Sequence, residues 1–331
     1  MIEGHGDDIY RYRDRIRSNF SSNIFSHADL TGLKAYLSSR MDVIGNYPEP
    51  EPYTLEKMLA EKLGIASEQV MVTNGATEAI YLIAHLFRNR TPMVYTPTFS
   101  EYESAIRMFH DAAAGSENNP RIVWLCNPNN PDGKVIPKKQ IVQQIKDDTR
   151  TIYVIDQSYA NYTLEPLPLP HEMVQRPNCL LLHSMTKRYC IPGLRLGYVT
   201  ATASLIEQLR RFRQPWTVNA LAIEAGLYLL EHDIPNFPPL EEYLAETQRL
   251  RRALNAIGGV NITDTQTNFM LVCLEKGTAA EMKDFLIQHA GILIRDASNF
   301  TGLTAAHFRV ATQTPEENDR LVESIKAYVY R

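Results

Sequence analysis

Cysteine is scarce in this chain of 331 residues, which has four, and none forms a Cys-x-x-Cys pair. Cys126, Cys179, Cys190 and Cys273 lie far apart, so a disulfide framework is not expected and a reducing compartment is implied. Cys126, Cys179 and Cys273 sit in or beside apolar runs and read as buried free thiols. No stretch approaches the 18 or so apolar residues of a transmembrane helix. The opening segment, Met1 to Tyr12, carries Glu3, Asp7 and Asp8 and has no apolar core of a signal peptide. Long runs of one charge are also missing. Lys and Arg number 34 against 38 Asp and Glu, a net charge of −4, which argues against a nucleic-acid surface or a polybasic membrane anchor. These absences make the cytoplasm the expected location, with no nucleic-acid or membrane partner and no metal site. There is no internal repeat and no low-complexity segment. What remains is 44% hydrophobic and 22% charged, an ordinary globular composition. The length suits about two domains and a core that needs no staples.

Periodicity fills in the elements. Leu55, Met58, Leu59 and Leu63 share a helical face that Gly64 terminates. Short strands are predicted at Val70 to Val72, Met93 to Tyr95, Ile122 to Cys126, Thr151 to Ile155, Leu180 to Leu182 and Leu196 to Val199. Helices are predicted over Thr77 to Phe87 and Pro137 to Asp147, the latter with proline in its first turn. Strands alternating with helices imply βαβ units and a mainly parallel sheet. The last third reads as a separate α/β unit. It has a helix over Leu240 to Ala256, strands at Phe269 to Val272, Ile292 to Arg295 and His307 to Val310, and helices near Ala279 to His289 and after Pro315. The break is expected in the proline-rich stretch Ile234 to Pro239. The domain expectation is an N-terminal segment (1–44) joining the small domain, a large domain (45–235) and a small C-terminal domain (236–331).

Polar residues gather where strands end, and in an open parallel sheet ligands bind beyond the carboxyl ends. Asn74-Gly75-Ala76-Thr77-Glu78 joins a strand to a helix, where backbone N–H groups suit a phosphate, although a plain helix cap would look the same. Phe99 follows another strand and is placed to stack on a ring or to pack in the core. Asn127-Pro128-Asn129-Asn130-Pro131-Asp132-Gly133 is a dense turn signal that either closes a loop or aims an amide. Asp156 ends a strand as a cap or as the partner of a ring nitrogen, with Tyr159 one turn on. His183-Ser184-Met185-Thr186-Lys187 leads to Ile191-Pro192-Gly193-Leu194-Arg195. An aldehyde cofactor needs an amine to form an imine, and its phosphate needs hydroxyls and a cation. Ser184, Thr186, Lys187 and Arg195 supply those groups.

In this order the motifs resemble the fold-type-I enzymes of the class I/II aminotransferase superfamily, which use pyridoxal 5′-phosphate, and the resemblance spans essentially the whole chain. Two members are similar: threonine-phosphate decarboxylase and histidinol-phosphate aminotransferase. His5-Gly6 with Ile9-Tyr10, Phe20-Ser21-Ser22-Asn23, Pro97 to Glu103, Pro215 to Ala220, and Ile292 to Asp296 with Ser298-Asn299-Phe300 look like the decarboxylase. Phe99 stands where the aminotransferases carry Tyr.

The resemblance implies a large domain with a mainly parallel sheet sandwiched by helices, plus a smaller α/β domain. It implies Lys187 as the imine lysine, Asp156 at the pyridine nitrogen, and Asn130 and Tyr159 at the ring oxygen. Gly75, Ala76, Thr77, Ser184, Thr186 and Arg195 would hold the cofactor phosphate, and Phe99 would stack on the ring. Tyr47 would reach the neighbouring subunit's phosphate, so a homodimer with shared sites is implied. Arg309 is similar to the substrate-carboxylate arginine and Arg295 to the second anion's, with His5 and Asn23 near a phosphorylated amino-acid substrate. The expected reaction is decarboxylation of O-phospho-L-threonine to aminopropanol phosphate in cobamide synthesis. The alternative is amino transfer from histidinol phosphate or another amino acid. The outcome turns on which bond at the α-carbon is held perpendicular to the ring, the carboxylate's or the hydrogen's. Three positions depart from the pattern: Asp7 for a Gly, Asp132 for a Thr and Gln313 for an Arg. None removes a cofactor residue.

Overall fold

Strand β1 (Ser18–Asn19) precedes helices α1 (Thr31–Ser39) and α2 (Tyr53–Leu63). Then follow β2 (Val70–Thr73), α3 (Gly75–Leu86), β3 (Thr91–Val94), α4 (Glu101–Phe109), β4 (Arg121–Cys126) and α5 (Lys138–Asp147). Next come β5 (Ile152–Asp156), α6 (Pro170–Met173), β6 (Cys179–Ser184), α7 (Met185–Arg188), β7 (Gly197–Thr200), α8 (Ala203–Arg210) and α9 (Ala220–Glu231). The last third holds α10 (Leu240–Asn255), β8 (Val260–Ile262), β9 (Phe269–Leu274), α11 (Ala279–Ala290), β10 (Ile292–Leu293), β11 (Arg295–Asp296), β12 (His307–Ala311) and α12 (Pro315–Val329). This computed structural model describes residues 7–12, 14–110 and 120–331.

Six strands form the central sheet in the order β2-β7-β6-β5-β4-β3. Strands β3 to β6 are parallel, and β7 runs antiparallel to both neighbours. The central strands β4 to β6 are mostly apolar and buried because both faces are covered. From β4, Ile122 and Trp124 pack with α3 and α4, while Val123 and Leu125 face α5 on the other side. A third cluster sets Val70 and Val72 of β2 against α2 and α9. The second unit is an antiparallel sheet, β11-β12-β9-β8, whose apolar face packs on α10, α11 and α12. Phe20, fully buried, belongs to that second core, and β1 pairs in parallel with β10.

Local chemistry explains the boundaries. Gly64 caps α2 in the left-handed conformation at φ 66°, where a side chain would be strained. Thr314 caps α12 with its hydroxyl on the Glu317 N–H, and Pro315 occupies the first turn, where no N–H partner is needed. Four expectations need correction. The strand predicted over Ile292 to Arg295 is two strands, because the backbone leaves β1 at Leu293 and joins β12 at Arg295. Helix α3 starts at Gly75, two residues before the predicted Thr77. Pro137 precedes α5 as its cap and is not within it. All four cysteines are free thiols, but Cys273 is only half-buried, whereas Cys190 is buried. Helices α1, α4, α6, α7, α8 and α9 carry no sequence prediction above.

Candidate active site

The carboxyl ends of β2 through β6 meet at one sheet edge, because β2 is antiparallel to β7 and β7 to β6. Reversal of β7 has a second effect. Its starting end lies at that same edge, so Arg195, two residues before it, arrives beside the other loops. The connection from β6 to β7 holds only a four-residue helix and no longer crossover helix of the kind that joins parallel strands.

A cavity of about 480 Å³ opens at this edge and reaches the small unit. It is lined by Ala76, Thr77, Phe99, Asn130, Asp156, Tyr159, Ser184, Thr186, Lys187 and Arg195 from the large unit, and by Arg295 and Arg309 from the small one. Twelve of the sixteen predicted residues thus converge. Gly75 lies behind the wall: with φ 71°, it lets the Arg195 guanidinium approach to where a Cβ would stand 2.8 Å from Nη2. Asn23 is fully buried next to the Tyr159 hydroxyl and does not line the cavity. Tyr47 is 85% exposed against Trp216, away from this chain's cavity. His5 lies outside the described residues.

Each side chain is held by its surroundings. Asp156 is 3% exposed and accepts from the Tyr102 hydroxyl at 2.6 Å and the Ser158 N–H at 2.8 Å. Burial pushes its pKa up, and these two donors oppose the shift. Lys187 donates to the Ser22 carbonyl at 2.7 Å. Loss of water, followed by the nearby Arg309 charge, brings the Lys187 amine down to about 8. Burial also raises the Tyr159 phenol to about 12, while Arg309 pulls the other way. Arg309 is 4% exposed, donates to the Ser21 carbonyl at 2.5 Å and to the Asn130 side-chain oxygen, and sits 5.7 Å over the Phe269 ring. With its oxygen engaged by Arg309, the Asn130 amide is left to present N–H groups. Arg295 donates to Asn299 at 2.8 Å and packs 5.4 Å under Phe300. The Thr186 hydroxyl donates to the Leu196 carbonyl at 3.2 Å.

Several lining groups carry no sequence prediction. The Ser21 and Ser22 carbonyls act through backbone, which residue type does not reveal. Tyr102 does not line the cavity but holds Asp156 from behind; it lies in the Pro97 to Glu103 segment, three residues beyond Phe99, and that spacing is the available signal. Ser158, two residues after Asp156, completes an Asx-type turn. Asp7 lines the cavity, with its carboxylate held by Asn19 at 2.8 Å. The other two departures do structural work: Asp132 accepts from Asn129 at 2.8 Å, and buried Gln313 ties Ser26 and Ile24, each at 2.9 Å.

The donor set fits pyridoxal phosphate. A lysine amine of lowered pKa and a buried carboxylate line the same cavity, and a helix start, hydroxyls and Arg195 offer an anion cradle. Arg309, which lines the cavity, keeps its Nε buried without a hydrogen-bond partner among the described residues. Such a group is costly until a ligand satisfies it. Among the described residues no cluster of His, Cys, Asp or Glu could hold a metal ion, and no helix is long and apolar enough to cross a membrane.

Fold and site together define an α/β enzyme whose candidate site gathers a buried lysine and several strand-end loops at the edge of a mainly parallel sheet. The chain belongs to the aminotransferase class I and II family, whose model matches residues 16–325. Its structure superposes on L-threonine-O-3-phosphate decarboxylase from Porphyromonas gingivalis with a TM-score of 0.90 and 36% identity, covering 95% of this chain and 100% of that one. The threonine-phosphate decarboxylase of Salmonella typhimurium is 28% identical over 93% of this chain and 90% of that protein. A histidinol-phosphate aminotransferase of Desulfitobacterium hafniense is 27% identical over 84% and 82%.

Proposed function

We propose that this enzyme binds pyridoxal 5′-phosphate at Lys187 and decarboxylates O-phospho-L-threonine to aminopropanol phosphate. The observation that carries the reading is the pair of buried arginines, Arg309 and Arg295, in one cavity with Lys187. Guanidinium forks suit a carboxylate and a phosphate, the two anions of a phosphorylated amino acid. The full-length likeness to threonine-phosphate decarboxylases supports the choice.

When bound, the cofactor supplies an aldehyde for amines and a ring that accepts the electrons of a broken bond at the α-carbon. Asp156 would hold negative charge against the ring nitrogen. Asn130 and Tyr159 would donate to the ring oxygen, and the loops at Ala76, Thr77, Ser184 and Arg195 would take the phosphate. Phe99 covers one face, with its ring edge-on to Tyr102 at 5.8 Å. Arg309 binds the substrate carboxylate and Arg295 its phosphate, and together they fix rotation about the bond to be cut. The Lys187 amine would carry a proton to the α-carbon.

Two further expectations join this reading: the division at 45 and 235 into a large and a small domain, and a cytoplasmic homodimer in which Tyr47 serves the neighbouring site. The pairing of β1 with β10 supports joining the N-terminal segment to the small domain. CO₂ release from O-phospho-L-threonine without any keto acid is the expected result. A requirement for 2-oxoglutarate, with glutamate formed, would replace this reading by an aminotransferase.

A further inference from the structure

Strand β2 ends in the turn that opens α3, Asn74 to Thr77, and it is the edge of the central sheet. Its pairing with β7 uses only one side: the Gln69 carbonyl accepts from the Ala201 N–H at 3.1 Å, so odd-numbered positions face β7. Val70 and Val72 turn their peptide groups outward, where no strand lies. Both are buried, and an unpaired buried peptide group is costly.

Two side chains stand where a strand is missing. Glu56, on α2 and 2% exposed, accepts from the Val72 N–H at 2.9 Å. Arg210, the last residue of α8, donates to the Val70 carbonyl at 3.1 Å and to Glu56 Oε2 at 2.7 Å. The pair thus reproduces one donor and one acceptor of a neighbouring strand, closed by its own ion pair. Glu51 binds Arg210 from outside, and the Arg213 guanidinium lies 3.7 Å from Glu56 Oε1. Burial pushes the Glu56 carboxyl up to about 7, while the Val72 N–H and then the Arg213 guanidinium pull the other way. Replacing Glu56 removes the acceptor of the Val72 N–H, and replacing Arg210 removes the donor to the Val70 carbonyl, so either change leaves a buried peptide group of the edge strand unpaired.

The consequence lies two residues further along the strand. The Asn74 N–H is held by Glu78 at 2.6 Å, and the Thr73 hydroxyl by the Gly75 carbonyl at 2.8 Å. On the inner side the turn has no slack, since a Cβ on Gly197 would meet the Ala76 nitrogen at 2.6 Å. The outer edge is therefore the side on which β2 could shift.

We propose that Glu56 and Arg210 are positioning residues that pin the edge strand and so aim the Gly75–Thr77 turn at the cofactor phosphate. The inference rests on the cofactor reading above. Neither residue lines the cavity; both act through the backbone of β2.

The test compares pyridoxal phosphate with pyridoxal, which lacks the phosphate, on apoprotein of the full chain, read by equilibrium absorbance titration. Glu56→Ala and Arg210→Ala are expected to weaken pyridoxal phosphate roughly tenfold, the loss of one charge-assisted contact, while pyridoxal affinity stays constant. Glu56→Gln, which keeps an acceptor for Val72, recovers part of the loss. Should the alanine variants not fold, Glu56→Gln and Arg210→Lys carry the same comparison. Equal weakening of both ligands, or of neither, overturns the positioning role. Failure of the unaltered apoprotein to take up either ligand overturns the cofactor reading and this inference with it.

Discussion

Burial sets the chemistry of Lys187. With its amine brought down to about 8, a substantial neutral fraction exists at physiological pH, and the neutral form is the one that attacks an aldehyde. Covalent capture of pyridoxal phosphate by the apoenzyme should therefore speed up as pH rises through about 8 and level off above it. Arg309→Gln removes a positive neighbour that favours the neutral amine, so the midpoint should move upward. Stopped-flow absorbance checks both, and a midpoint at the ordinary lysine value of 10.5 would contradict the argument. Asp156 works in the opposite sense. Its carboxylate is raised by burial and lowered by the Ser158 and Tyr102 hydrogen bonds. Tyr102→Phe deletes one donor, so protonation on the acid side should begin at higher pH. Cofactor retention against pH should show that acid limb displaced upward. The lost contact, a buried hydrogen bond to a charge, is worth about 1.5–3 kcal/mol.

At the scale of elements, the site depends on how tightly β2 and β7 meet. Gly197 opens β7, and a Cβ there would lie 2.6 Å from the Ala76 nitrogen and 2.8 Å from the His183 carbonyl. Both neighbours are backbone and cannot swing aside. Gly197→Ala should cost about 1–3 kcal/mol in unfolding free energy by overpacking, and should weaken inorganic phosphate binding to the apoprotein. Denaturant unfolding and isothermal titration read the two effects separately. Most elements were legible because their stops are chemical: Gly64 needs its positive φ, and Thr314 its capping hydroxyl. Strand-end residues such as Asn130, Asp156 and Lys187 were legible because polar groups interrupt apolar runs. Direction was not. The reversal of β7 goes with a connection that holds only a four-residue helix, and no residue type announces it. Equally, the Ser21 and Ser22 carbonyls that hold Arg309 and Lys187 belong to any sequence in that backbone path.

For the whole molecule, the informative residue is the one that single-chain geometry leaves out. Tyr47 is 85% exposed, with Trp216 beside it at 47% and Ile44 at 65%. An aromatic and aliphatic surface of this kind is expensive to leave in water, and an isologous dimer would cover the same patch on both copies. If Tyr47 reaches the neighbour's cofactor phosphate, every complete site draws Lys187 from one subunit and Tyr47 from the other. Lys187→Ala and Tyr47→Ala homodimers are then each defective at both of their sites. After subunit exchange, a mixed dimer has one site that is intact and one that is doubly damaged. Equal mixing makes half the dimers mixed, each with one good site of two, so activity should climb to about a quarter of wild type. Activity should rise as exchange proceeds, while light scattering reads twice the 37.7 kDa chain throughout. A mixture no more active than the average of its two components would mean that each chain completes its own site, and the exposed tyrosine would need another explanation.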